Sequence, residues 1–120
     1  SITIVAGAGN VTTTNVQEGL CKSWVNLDST GTASTRDSFN VSSITDNSTG
    51  KTTITVTNAF ANVNFAYSIA TGFTSGGEGV HPEVHEDLIT TSSYGIGGIN
   101  TSNSAADSAN TFSLVVGDLA

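Results

Sequence analysis

Basic residues are scarce in this chain of 120 residues. Only Lys22, Arg36 and Lys51 stand against ten acidic residues, and the formal net charge is −7. A surface that follows nucleic-acid phosphates, or that binds an anionic membrane by charge, needs clustered lysines and arginines. No apolar run approaches the ~20 residues that a membrane-spanning helix requires. We therefore expect no nucleic-acid partner and no membrane insertion.

Cysteine is nearly absent as well. The single Cys21 permits no disulfide within the chain, which excludes a small scaffold held together by disulfides. Free cysteines usually behave as small buried side chains, and we expect Cys21 to do the same.

Uncharged polar residues dominate the composition. Charged residues make up 11% of the chain, whereas serine, threonine, asparagine and glycine together account for about half. Hydrophobic residues form 37% and recur with a period of two, which favours strands with one buried face over a disordered chain. We predict an all-β, antiparallel β-sandwich or jelly-roll-like domain over residues 1–120. Residues 1–15 would be an N-terminal edge strand (1–6) and connector loop (7–15), and residues 16–120 the sandwich.

Alternation places the strands. We expect them over residues 17–28, 36–44, 51–57, 64–70, 88–91 and 111–117, with a hairpin turn over residues 46–50. No long window has a helical period, so almost no helix is expected. The alternating positions predict a structural core of Trp24, Phe39, Ile54, Val56, Phe65, Phe112, Leu114 and Val116, together with Leu20, Val25, Leu27 and Ile69.

Residues 19–67 contain the most specific pattern in the chain. Residues 22–27 read KSWVNL and residues 36–50 read RDSFNVSSITDNSTG. This run resembles a small β-domain of bacteriophage virion proteins, found most often at the distal end of tail fibres of marine and cyanobacterial phages. Members typically carry a KAWVNF strand, then RDSFNVSSITDNGTG, then an alternating strand. Residues 112–118 are a weaker echo of the same domain.

The resemblance implies a virion structural protein with no enzymatic activity, assembled in the bacterial cytoplasm and exposed on the particle surface. Its partners would be itself, as a homotrimer, other virion proteins, and a glycan of the host surface. Two virion roles stay open: a fibre-type domain that contacts the host, and a capsid decoration or cement protein that stabilises the head. The fibre-type role is the favoured one, and the short chain without a coiled-coil segment adds weight to decoration as its alternative. An adhesin or hydrolase accessory domain that binds glycans is the alternative from another class.

Both histidines lie in one acidic segment, residues 79–87. In an extended chain His81, Glu83 and His85 would point the same way, which makes them weak candidates for metal ligands. The favoured interpretation is a solvated acidic loop without a metal, because Pro82 and the spacing exclude a helical HExxH site. We expect no cofactor.

Catalytic patterns are missing from the sequence. Gly-x-Ser-x-Gly is absent, and the acidic residues of 79–87 crowd one segment instead of facing each other across a cleft. The only tryptophan, Trp24, has two interpretations, a platform that stacks on a sugar or an aromatic of the core or of a subunit interface. The second is favoured because indole carries a large apolar area.

Two long segments outside the recurrent run are the predicted binding loops. Residues 72–87 and 94–110 combine many glycines with side chains suited to stacking and hydrogen bonding. The candidate contact residues are Phe73, His81, Glu83, His85 and Tyr94. The alternative is that these segments only cover one end of a sheet or fill the trimer axis.

Overall fold

A computed structural model describes residues 3–6, 12–15, 19–72 and 79–120. The strands are β1 (Thr3–Ala6), β2 (Thr12–Asn15), β3 (Ser23–Asp28), β4 (Ser34–Phe39), β5 (Val41–Ser48), β6 (Lys51–Val56), β7 (Ala66–Thr71), β8 (His81–Thr90), β9 (Ser93–Ile99) and β10 (Thr111–Val116). Within these described residues no helix is long and apolar enough to cross a membrane. The predicted all-β class is confirmed.

Two four-stranded antiparallel sheets, compatible with a β-sandwich, contain eight of the strands. Sheet B has the order β4-β3-β10-β7 and sheet C the order β5-β6-β9-β8. The remaining pair, β1 and β2, forms a separate two-stranded sheet A in which Thr3 pairs with Asn15. The connector loop predicted over residues 7–15 is therefore wrong at residues 12–15, which are a strand. Strand β1 pairs with β2, in a sheet apart from B and C.

The predicted strand over residues 36–44 is divided between the two sheets. It breaks at Asn40, whose φ of 56° lies in the left-handed region that asparagine tolerates better than most residues. The Asn40 side chain holds this crossing in place: its Nδ2 donates to the carbonyl of Lys22 at 2.9 Å, and its Oδ1 accepts from the backbone N–H of Asn58 at 2.7 Å. Strand β4 thus belongs to sheet B and β5 to sheet C.

Strands β8 and β9 occupy much of what the sequence predicts as loops. The glycines of β9 give the strand a loop-like composition. Glycine is nevertheless required there, because neighbouring atoms approach the β9 backbone closely. A Cβ on Gly97 would lie 1.7 Å from the carbonyl oxygen of Gly50, and one on Gly95 would lie 2.7 Å from Cβ of His85. Glycine in a strand interior often marks such close approach. Of the predicted loops 72–87 and 94–110, residues 81–87 and 94–99 are therefore strand, and the described residues outside strands are 72, 79–80 and 100–110.

The core lies between sheets B and C. Its fully or nearly buried side chains are Val25, Leu27, Ile54, Val56, Phe60, Tyr94, Ile96 and Val115. Aromatic rings fill the space between the sheets near β7: the ring centroids of Phe60 and Phe65 are 4.1 Å apart, and those of Tyr67 and Tyr94 are 5.0 Å apart. Of the predicted core, Val25, Leu27, Ile54 and Val56 are buried, and Phe65 and Ile69 are half-buried against the core.

Five predicted core residues are exposed instead. Leu20, Phe39 and Leu114 are 56%, 52% and 51% exposed, and Phe112 and Val116 are also exposed; Trp24 is half-buried. The core prediction is wrong for Phe112, Leu114 and Val116 because the register places the opposite face of β10 inward. Phe39 faces outward with its partner Trp24, and Leu20 lies before β3.

The register of β10 has a clear physical cause. Val25 and Leu27 of β3 face the core, and their partners are Ser113 and Thr111, so those two small residues must also face inward. The Tyr94 ring of sheet C fills the space that they leave, and its hydroxyl lies 3.0 Å from Oγ of Ser113. Phe112, Leu114 and Val116 consequently face outward.

Both tyrosines of the chain should lose their phenol protons at a higher pH than an exposed tyrosine does. Burial raises the pKa of Tyr67 to about 12 and also raises the pKa of Tyr94. Below pH ~10, the ordinary pKa of an unfolded tyrosine, the phenols are neutral in both states and stability is unaffected. Above it only the unfolded chain loses these protons readily, so stability falls as the pH rises toward 12. We expect no phenolate absorbance near pH ~10 in the folded protein; a normal titration there would contradict the buried placement.

Candidate functional site

One end of the sandwich gathers the connections that the sequence predicts as contact loops. We call this the loop end; it comprises residues 29–33, 49–50, 72, 79–80 and 100–110. The backbone N–H of Gly72 donates to the carbonyl of Asn110 at 2.7 Å, and that of Gly50 donates to Oδ1 of Asp107 at 2.7 Å. The two predicted loop segments therefore do meet at one place, although they are shorter than expected.

Part of connection 100–110 is buried and covers one end of the sandwich. Ser29 and Ser108 are both buried, and Oγ of Ser29 donates to the Ser108 carbonyl at 3.0 Å while accepting from the Ser108 N–H at 2.8 Å. This supports the alternative that the segment covers a sheet end. Its outer turn is different: residues 101–105 are exposed, and Asn100 Oδ1 accepts from the N–H groups of Ser102 and Ser104, both at 3.0 Å. The turn thus presents hydroxyl and amide groups on a fixed backbone.

One of the candidate contact residues does not reach this surface. Tyr94 is buried in the core, so its prediction as a contact residue is wrong. Its position follows from pairing with Ile54 in the middle of sheet C. Phe73 lies outside the described residues.

His81, Glu83 and His85 lie on one face of β8, as predicted, but an extended strand separates them too widely for one ion. At ~3.3 Å per residue, the backbones of His81 and His85 are about 13 Å apart. His85 Nε2 is also engaged, since it lies 2.8 Å from the Gly50 carbonyl, which can only accept. Among residues 19–72 and 79–120 no group of three His, Cys, Asp or Glu side chains could hold a metal.

Lys51 and Asp87, two charged residues at or near β8, form an ion pair at the surface. Lys51 Nζ lies 2.5 Å from Oδ2 of Asp87, and this hydrogen bond lowers the pKa of that carboxyl. Both groups have solvent access, and such exposed pairs contribute little to stability. The outer face of sheet C is otherwise polar, with Thr53 and Thr55 beside Lys51 on β6. Nothing in this arrangement provides a nucleophile beside a base.

The outer face of sheet B is the most unusual surface of the described molecule. Cross-strand pairing puts Trp24 beside both Phe39 and Leu114, and Asn26 beside Phe112. Strand β7 adds small outward residues to the same face. We call this surface the apolar face; it consists of Trp24, Phe39, Ala66, Ser68, Ala70, Phe112, Leu114 and Val116.

A shallow groove runs across the apolar face between β3, β10 and β7. Its volume is about 380 Å³, and its outward lining includes Trp24, Asn26, Ser68, Phe112 and Leu114. A second depression beside it is lined by Ala66, Ser68, Leu114 and Val116, with Tyr67 below. The groove exists because the small side chains of β7 stand beside large ones of β10 and β3.

Comparison with protein-family models, with curated proteins and with solved structures found no match to this chain.

Proposed function

We propose that this chain is a structural module of a phage particle: a jelly-roll-like β-sandwich that works as a homotrimer, is held to other virion proteins, and contacts host-surface glycan through its loop end. The observation that carries the proposal is the ordered run in residues 19–67. That run supplies β3, β4, β5 and β6, half of the sandwich strands, and the beginning of β7.

The shape of the surface favours binding over catalysis. Enzyme sites are concave, with a few polar groups converging in a pocket. Both depressions instead lie on a mostly apolar sheet face, and no histidine or carboxylate of the described residues lines either of them. The loop end offers exposed hydroxyl and amide groups, which suit the hydrogen-bonding groups of a sugar.

The outer turn of connection 100–110 should therefore matter for adsorption to the host. We expect particles that carry Ser102→Ala together with Ser104→Ala to adsorb about tenfold more slowly, because two side-chain hydroxyls are lost from a site repeated over several copies. The turn itself should persist, since Asn100 accepts from backbone N–H groups that alanine retains. Adsorption kinetics and the melting temperature of the purified chain are measured together.

A matched control removes two hydroxyls at the opposite end of the sandwich. Thr57 and Thr91 are exposed there, and Thr57→Ala with Thr91→Ala should leave adsorption unchanged. If particles with the loop-end variant adsorb normally but their phage heads break more easily, the result would favour capsid decoration over a fibre. Normal adsorption and normal heads in the loop-end variant would contradict host contact through this turn.

A further inference from the structure

We infer that the apolar face of sheet B is the surface through which copies of this chain associate, each copy covering the face of another. The inference deepens the proposed function and rests on it for the expectation that copies meet in one particle. Its physical basis is local, since the large outward side chains of β4 and β10 remain exposed and Trp24 of β3 is only half-buried.

The size of the face matches what a stable interface requires. Four strands spaced ~4.8 Å apart and about six residues long span roughly 20 by 20 Å. The exposed parts of Phe39, Phe112, Leu114 and Val116 with the edge of Trp24 amount to about 400 Å² of apolar surface, near the largest patch of a typical monomer. A standard interface buries about 800 Å² per partner, of which somewhat more than half is apolar. The face thus supplies nearly all the apolar area of one such interface.

Charge also favours a second copy on this face. The chain carries a net charge of −7, so most approaches between copies bring like charges together. On the apolar face β10 and β7 contribute no charged residue, and the charges are confined to the rim formed by β3 and β4. There Arg36 lies 3.5 Å from Asp28, which leaves only Asp37 without an opposite charge in that rim. Repulsion between copies is therefore weak here.

The shape of the apolar face is complementary to the same face of a second copy. Phe112 and Leu114 project beside a groove floored by the small residues Ser68 and Ala70. In a symmetric assembly the projecting side chains of one copy can enter the groove of the next, as in the interdigitated faces of a β-sandwich. A glycan would instead need several hydrogen-bonding groups, and within this groove Asn26 and Ser68 are the only polar side chains that face outward.

Trp24 reports directly on this contact because it is the only tryptophan in the chain and lies on the face. The experiment follows the purified full chain through a dilution series by light scattering and by tryptophan emission. We expect an assembly at micromolar concentration whose emission moves to longer wavelength as it dissociates. A monomer at all concentrations, or dissociation that leaves the emission unchanged, would overturn the inference.

A charge placed on the face should separate the copies without unfolding them. Leu114→Glu should weaken association by about 100-fold or more, because assembly would bury an unpaired carboxylate. The control is Val63→Glu, which adds the same charge at a position that is equally exposed, at 51%, and lies in the connection before β7. Equal association of the two variants would overturn the inference. If the chain forms a dimer that Leu114→Glu abolishes, the result would support the apolar face as the interface but contradict the proposed trimer. If copies associate through this face but the chain is absent from particles, only the proposed function would be contradicted.

Discussion

Gly50→Ala is expected to lower the free energy of unfolding by about 2–5 kcal/mol, since a left-handed backbone costs about 1–2 kcal/mol and overpacking about 1–3 kcal/mol. Gly50 has a φ of 71°, and a Cβ there would lie 2.6 Å from the Gly98 carbonyl oxygen and 2.8 Å from the Ala106 nitrogen. Both neighbours are backbone atoms that hold connection 100–110 to β9, so neither can move aside cheaply. Chemical denaturation of the purified variant measures the loss.

Gly31→Ala separates the two causes. Gly31 has a nearly identical φ of 63°, but nothing lies within 4 Å of its would-be Cβ. It should therefore cost only the conformational part, about 1–2 kcal/mol. If the two variants lose the same stability, the close packing of the β5–β6 turn against Gly98 and Ala106 is not present in solution.

Leu27→Ala should be comparably severe, at about 2–5 kcal/mol, because it leaves a cavity between two sheets that cannot fully collapse. Leu27 is fully buried on β3, against the side chains contributed by β6 and β9. The measurement is the denaturation midpoint at fixed chain concentration. No change in association is expected, since Leu27 faces away from the apolar face.

Leu20→Ala is the matched control for that loss. The sequence predicts Leu20 in the core with Leu27, yet it is 56% exposed just before β3. We expect a cost below about 0.5 kcal/mol, as for other surface substitutions. A large loss at Leu20 with a small one at Leu27 would mean that the register of β3 is wrong.

Local signals in the sequence predicted the parts of the fold that depend on neighbouring residues. The alternation of residues 51–57 corresponds to β6, with Ile54 and Val56 facing the core. The hairpin predicted at residues 46–50 does join β5 to β6, but β5 continues to Ser48, only Thr49 and Gly50 form the turn, and the register shifts between Asp46 and Ser48. These features need no information from distant parts of the chain.

The remaining errors come from long-range packing. Alternation cannot say which face of a strand is inward, and in β10 the larger side chains are the outward ones because Tyr94, more than fifteen residues earlier, fills the core opposite Ser113. Composition likewise made β9 look like a loop, although its glycines admit the Gly50 carbonyl and the His85 side chain. Neither constraint can be seen before the two sheets are brought together.

The candidate site likewise has features that local sequence signals indicate and features that only long-range packing reveals. Residues 72–87 and 94–110 were grouped as contact loops from their composition, and their meeting is a feature that only the structure shows, since the Gly72 N–H donates to the Asn110 carbonyl. The apolar face was missed because its residues were assigned to the core. An excess of large apolar residues on both faces of one strand, as in residues 112–116, is the signal that could have revealed it.

The most direct test of the proposed function is the number of copies of this chain in one purified particle, determined by quantitative mass spectrometry. A trimeric fibre-type module predicts a few dozen copies or fewer, in a multiple of three. Hundreds of copies would assign the chain to capsid decoration, and its absence from purified particles would contradict a virion role.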